Sequence, residues 1–71
     1  MRIDEIGEII KKRRDALNID QKTLSEISEV SVHTITDIES GKANPSVIVL
    51  NKLLSSIGLE LSIRVKGIDN E

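Results

Sequence analysis

Three residues with short oxygen-bearing side chains, Asp20, Ser31 and Ser46, each stand just before a stretch with apolar residues at helical spacing. Each reads as a helix N-cap, because its side-chain oxygen can accept from an orphan backbone N–H in the first turn. Caps this close together in a chain of 71 residues restrict it to short helices and to one small domain. A chain of that size buries only about 60% of the surface it exposes when unfolded, so its stability is marginal and association adds to it.

The pattern between the caps fixes the expected elements. Residues 3–17 set Ile3, Ile6, Ile10 and Leu17 on one helical face, with Asp4, Glu5 and Glu8 near the start and Lys11, Lys12, Arg13 and Arg14 near the end. Asn18 reads as the stop. A second helix runs from Gln21 to about Ser28 with Leu24 and Ile27 inward, and a third covers Val32–Ser40 with Ile35 and Ile38 inward. Gly41 closes the third, and Lys42–Pro45 is a loop because Asn44 precedes proline. The fourth helix follows Ser46, with Val47, Leu50, Leu53, Leu54 and Ile57 as its apolar stripe and Gly58 at its end.

After Gly58 the period changes from 3.6 to 2. Leu59, Leu61, Ile63 and Val65 alternate with Glu60, Ser62, Arg64 and Lys66, the pattern of a half-buried strand. No other segment offers it a partner strand. It therefore pairs with a second copy about a two-fold axis, or folds back on its own helices, or frays. With the axis near Ile63, Glu60 lies opposite Lys66 of the other copy. The expected fold is all-α, a bundle of four to five short helices, with one C-terminal strand paired between subunits of a dimer. The domain spans residues 1–66, with 59–66 as the dimerisation strand and 67–71 as a disordered tail.

Composition removes several function classes. There is no cysteine, hence no disulfide framework and no thiolate zinc site, and one histidine, His33, cannot build a histidine metal site. The absence of aromatic residues removes the stacking platforms of single-strand binders. No apolar run reaches the ~20 residues of a membrane span, and the opening MRIDEIGEII is too acidic for a signal peptide, so a cytoplasmic setting is expected. No glycine-rich phosphate loop and no nucleophile with a recognisable base is present, so neither enzyme nor cofactor is implied. Net charge is −2 and the pI about 5.4, the wrong sign for indiscriminate coating of nucleic acid. Bases gather at 11–14, whereas residues 18–40 hold Lys22 against Asp20, Glu26, Glu29, Asp37 and Glu39. Any anion-binding surface must be local and geometric.

The second and third helices, joined by a tight turn at Glu29-Val30, form a helix-turn-helix. The stretch DQKTLSEISEVSVHTITDIESGKANPS resembles the phage-repressor/Cro-like (XRE family) signature through Gln21, Leu24, Glu26, Val30-Ser31, Thr34-Ile35, Ile38-Glu39, Gly41-Lys42 and Asn44-Pro45-Ser46. With the flanking helices the resemblance covers residues 3–58 and implies a lambda-repressor-like bundle. The ending LNKLLSSIGLELSIRVK is similar to that of HipB-type antitoxins and their short stand-alone relatives, which implies strand-paired dimers that repress their own operon and restrain a HipA-type kinase. Glu29 departs from the family pattern, which often has glycine in the turn, as does Asp37, where a basic or amide side chain is common.

The resemblance implies a set of DNA-facing residues. Gln21 opens the second helix toward the phosphates and buttresses the third. Val32, His33 and Thr36 lie on the exposed face of the third helix, with Ser31 at its cap and Asp37 as further candidates. Val32 suits a thymine methyl and Thr36 a base or phosphate, while His33 suits guanine or a phosphate, unless it is an ordinary exposed histidine. Asp37 either accepts from cytosine N4 or is a solvated charge. Ser40, Lys42 and Asn44 are candidate phosphate ligands after the helix. Arg14 and Glu39 match a structural ion pair, and Leu59, Leu61, Ile63 and Val65 match the dimerisation face. Lys11, Lys12 and Arg13 read as a solubilising face. The implied function is sequence-specific repression by a homodimer on a palindromic double-stranded DNA operator, within a toxin–antitoxin operon. The alternatives are an antitoxin acting mainly on a HipA-like kinase and a stand-alone mobile-element regulator.

Overall fold

The caps found in the sequence are those that start the helices. In the computed structural model, which describes residues 2–67, four helices follow in order: α1 (Ile3–Ala16), α2 (Gln21–Ser28), α3 (Val32–Glu39) and α4 (Val47–Ser56). Asp20 Oδ1 accepts from Thr23 N–H at 2.8 Å, Ser31 Oγ from Thr34 N–H at 3.1 Å, and Ser46 Oγ from Val49 N–H at 3.2 Å. At α1 the Glu5 carboxylate accepts from the Arg2 backbone N–H at 2.7 Å. Asn18 turns the chain out of α1 with φ 59°, one of the few residues besides glycine that enters the left-handed region readily.

The core is wholly aliphatic. Ile10, Leu24, Val30, Ile35, Ile38, Leu50, Leu53, Leu54 and Ile57 are buried in it, and Ile6, Ile19, Ala43, Val49 and Leu59 pack around it. Helix α1 packs on α3, and α2 packs on both α3 and α4. Three expected core positions differ. Ile27 is 55% exposed, because α2 buries Leu24 and Ser28, one turn apart, and Ile27 lies off that line. Ser28 is tolerated inside because its hydroxyl accepts from Val30 N–H at 3.2 Å. Leu17, just past the end of α1, and Val47, the first residue of α4, are also exposed.

Arg13, of the basic run, and Gly7 are structural. Arg13, expected on a solubilising face, donates from Nε to the Ile57 carbonyl at 2.8 Å and so satisfies a terminal carbonyl of α4. Gly7 is buried where α1 crosses α3. A Cβ built there would run into the Ile38 carbonyl oxygen and lie 2.9 Å from its carbon and 3.2 Å from Glu39 Cα. Only glycine lets the two backbones approach this closely.

The turn between α2 and α3 is built on Glu29 at φ 63°, ψ 26°, with its N–H donating to the Ser25 carbonyl at 2.9 Å. A left-handed non-glycine residue costs about 1–2 kcal/mol, and a glutamate at a helix C-terminus also opposes the helix dipole. Glycine gives back about 0.5–1 kcal/mol through greater freedom of the unfolded chain. Glu29→Gly is therefore expected to raise stability by about 0.5 kcal/mol, whereas the β-branched Glu29→Val lowers it. The midpoints of urea denaturation followed by circular dichroism report both signs.

Beyond α4, residues 59–67 form neither helix nor strand in the single chain. Leu59 N–H donates to the Leu54 carbonyl at 2.8 Å and its side chain meets the core, but Leu61, Ile63 and Val65 stand 41%, 100% and 69% exposed. The strand expected over residues 59–66 is not formed in the single chain. Of the expected disordered tail, residues 68–71 lie outside the described residues.

Candidate nucleic-acid interface

Along one edge of the third helix runs a chain of polar contacts through three elements. Arg14, near the end of α1, donates from Nε to Glu39 Oε2 at 2.8 Å, from Nη2 to Glu39 Oε1 at 3.1 Å, and from Nη1 to the Ile19 carbonyl at 2.9 Å. This is the bidentate geometry that guanidinium and carboxylate favour. Gln21, the first residue of α2, donates from Nε2 to Glu39 Oε1 at 3.0 Å, and its Oε1 accepts from Thr36 Oγ1 at 3.0 Å. The Arg14 and Glu39 side chains are only 10% and 5% exposed. No described buried side-chain polar atom lacks a partner.

The charges of the pair support one another. Burial pushes the Glu39 carboxyl up, but hydrogen bonds from Arg14 and Gln21, with the charges of Arg14 and Lys11, outweigh it and hold the group below its ordinary value. The hydrogen bond to Glu39 holds the Arg14 guanidinium above its own ordinary value against burial. At the start of α2, the Thr23 backbone N–H keeps the Asp20 carboxyl low.

Helix α3 also shows groups open to water. Val32 is 41% exposed and the His33 side chain 87% exposed. His33 Nε2 lies 3.3 Å from Asp37 Oδ2, one turn further along, so the carboxylate has a cationic neighbour whenever the imidazole is protonated. Ser31 caps the helix, and its hydroxyl donates to Thr34 Oγ1 at 2.9 Å. The Asp37 carbonyl gathers the following loop, accepting from Ser40 Oγ at 3.1 Å and from the backbone N–H groups of Lys42 and Ala43 at 2.8 and 3.2 Å. Lys42 and Asn44 stand exposed on that loop.

The residues singled out in the sequence thus divide into two groups. Arg14, Gln21, Thr36, Glu39 and Ser40 line one crevice between α1, α2 and α3. Val32, one turn before Thr36 on the same edge of α3, is exposed, as is Thr36 itself; His33 and Asp37 also reach water, with Lys42 and Asn44 just beyond the helix. The sequence reading missed Gly7 and Arg13, and it left Lys11 outside the site although the structure places it at the crevice. An isolated glycine within a helical pattern was the available signal for the first. Nothing in spacing announces the other two. Among the described residues, no helix is long and apolar enough to cross a membrane.

Two short helices set by caps around a three-residue turn, the second held along one edge and otherwise open to water, define a helix-turn-helix domain. Residues 10–63 match the Helix-turn-helix family model, and the chain belongs to that family. It is 41% identical over 70 residues to an uncharacterized HTH-type transcriptional regulator of Haemophilus influenzae, covering 94% of this chain and 70% of the relative. It is also 37% identical over 57 residues to endothelial differentiation-related factor 1 of rat and of human. There the match covers 80% of this chain and 38% of those relatives.

Proposed function

We propose that the protein is a DNA-binding transcription regulator that recognises a palindromic operator as a homodimer. The observation that carries this reading is that α3 is both fixed and exposed. The nearly buried Arg14–Glu39 pair and Gln21 hold one edge of it, while Val32, His33, Thr36 and Asp37 reach water beyond a capped N-terminus. A helix entering the major groove needs both properties, since base edges are read by side chains whose positions do not wander. Lys42, Asn44 and Ser40 follow as phosphate ligands. The family membership and the relative named as a transcriptional regulator support the same reading.

Dimerisation is supported by the C-terminal segment. Leu61, Ile63 and Val65 expose alternate apolar side chains beside a groove of about 370 Å³ lined by Ile6, Ile9, Leu54, Leu59 and Leu61. A second copy pairing residues 59–66 antiparallel covers this surface and satisfies an otherwise open edge. That same ending favours the narrower reading as a HipB-like antitoxin that represses its own operon and binds a HipA-like kinase, rather than a stand-alone regulator. Co-purification with a kinase encoded by an adjacent reading frame separates the two.

The central test is selection of duplexes from a random-sequence pool by the full chain, followed by sedimentation of the complex. The expected result is two chains on one duplex, with inverted half-sites about 34 Å apart, one turn of the double helix. With few cations available, the logarithm of affinity should fall shallowly with the logarithm of salt concentration. Enrichment of no sequence, or a single chain per duplex, overturns the reading.

A further inference from the structure

We propose that Lys11 is a DNA-backbone ligand, the cation that holds one phosphate in the crevice between α1, α2 and α3; the inference rests on the DNA-binding reading above. The crevice, about 240 Å³, is lined by Lys11, Arg14, Gln21, Thr36, Glu39 and Ser40. Within it Arg14 and Glu39 are nearly buried and occupy each other in a bidentate pair, so together they offer an incoming group little net charge. Gln21 and Thr36 are joined to that pair by hydrogen bonds. Lys11 remains as the exposed cation of the lining, one turn before Arg14 on the same side of α1. The crevice as a whole is therefore singly positive, with the Ser40 hydroxyl as a second polar group at its wall. A monoanionic diester phosphate matches that charge. The crevice also runs alongside α3, so a duplex whose groove accepts α3 brings its backbone past this wall.

Lys12 is the internal control. It follows Lys11 directly, is also exposed, and is absent from the crevice. The experiment measures binding of the full chain, as wild type, Lys11→Ala, Lys12→Ala and Lys11→Arg, to a selected duplex and to poly(dI–dC) over a range of potassium chloride concentrations. Each phosphate neutralised contributes about 0.9 to the slope of log affinity against log salt. Lys11→Ala is expected to lower the slope by about 0.9 on both duplexes and to weaken binding to both by the same factor. Lys11→Arg retains the slope and Lys12→Ala leaves it unchanged. A purely structural role for Lys11 would change stability without changing the slope, and circular dichroism melting separates these effects. Wild-type binding with an unaltered slope in Lys11→Ala overturns this proposal and leaves the DNA-binding reading intact. Failure of the wild type to bind either duplex overturns both.

Discussion

Arg14→Ala is expected to leave most of the protein unfolded at neutral pH. The substitution removes three hydrogen bonds at once, two to Glu39 and one to the Ile19 carbonyl, and leaves the Glu39 carboxylate with only 5% of its side chain in contact with water. Stranding one member of a buried ion pair costs about 3–5 kcal/mol. A chain this small rarely has more than about 3–5 kcal/mol of stability to lose. Urea denaturation followed by circular dichroism measures the loss; a change below about 1 kcal/mol would show that the pair is not a structural element.

The pH dependence of this variant carries a second, independent signature. In the wild type the folded-state value of Glu39 is lowered, so its contribution is complete above the ordinary carboxylate range and disappears as pH falls through the folded-state value. Asp20, also lowered, acts in the same direction. Without Arg14, the largest influence left on Glu39 is burial, which raises its value and makes protonation favourable in the folded state. The stability difference between wild type and Arg14→Ala is therefore widest at neutral pH and narrows toward pH 4. A gap independent of pH would mean that the loss comes from packing of the arginine stem.

Gly7→Ala is expected to destabilise the fold although it improves helix propensity. In an exposed helix this exchange gains about 1 kcal/mol. Here the new methyl group meets the backbone of Ile38 and Glu39 rather than the end of a flexible side chain, so α1 and α3 must separate. Overpacking of this kind costs about 1–3 kcal/mol and occasionally more. For a domain of this size the midpoint of thermal unfolding should fall by roughly 5–20 °C. A rise in the midpoint would show that the two helices are free to move apart. Because the displaced backbone includes Glu39, Gly7→Ala and Arg14→Ala should also be non-additive in a double-mutant cycle.

The local features of the fold were legible because they are written in adjacent residues. Asp20, Ser31 and Ser46 announce helix starts, and Asn18, Gly41 and Gly58 announce stops, through chemistry that acts within a few positions. The inward apolar residues of α3 and most of those of α4 followed from periodicity. Ile27 did not, because the side of α2 that turns inward is decided by α3 and α4, and a buried Ser28 is acceptable only once its hydroxyl has found Val30. Gly7 and Arg13 depend on a helix crossing and on the Ile57 carbonyl, 44 positions away in the chain, and no short-range pattern encodes either. The site shows the same division. Arg14 and Glu39 were linked by family resemblance, not by spacing, and the part played by Gln21 between Glu39 and Thr36 needs three elements in place. The C-terminal alternation was plain in the sequence, yet its expected pairing involves a second chain.

Arg14 and Glu39 are nearly buried in their mutual pair, whereas the Val32, His33 and Asp37 side chains reach water, and this separates what keeps the molecule folded from what it displays. Exchanges at the three displayed positions leave every buried hydrogen bond in place. A lineage descended from this chain can therefore alter a few solvent-facing letters with no compensating repairs inside.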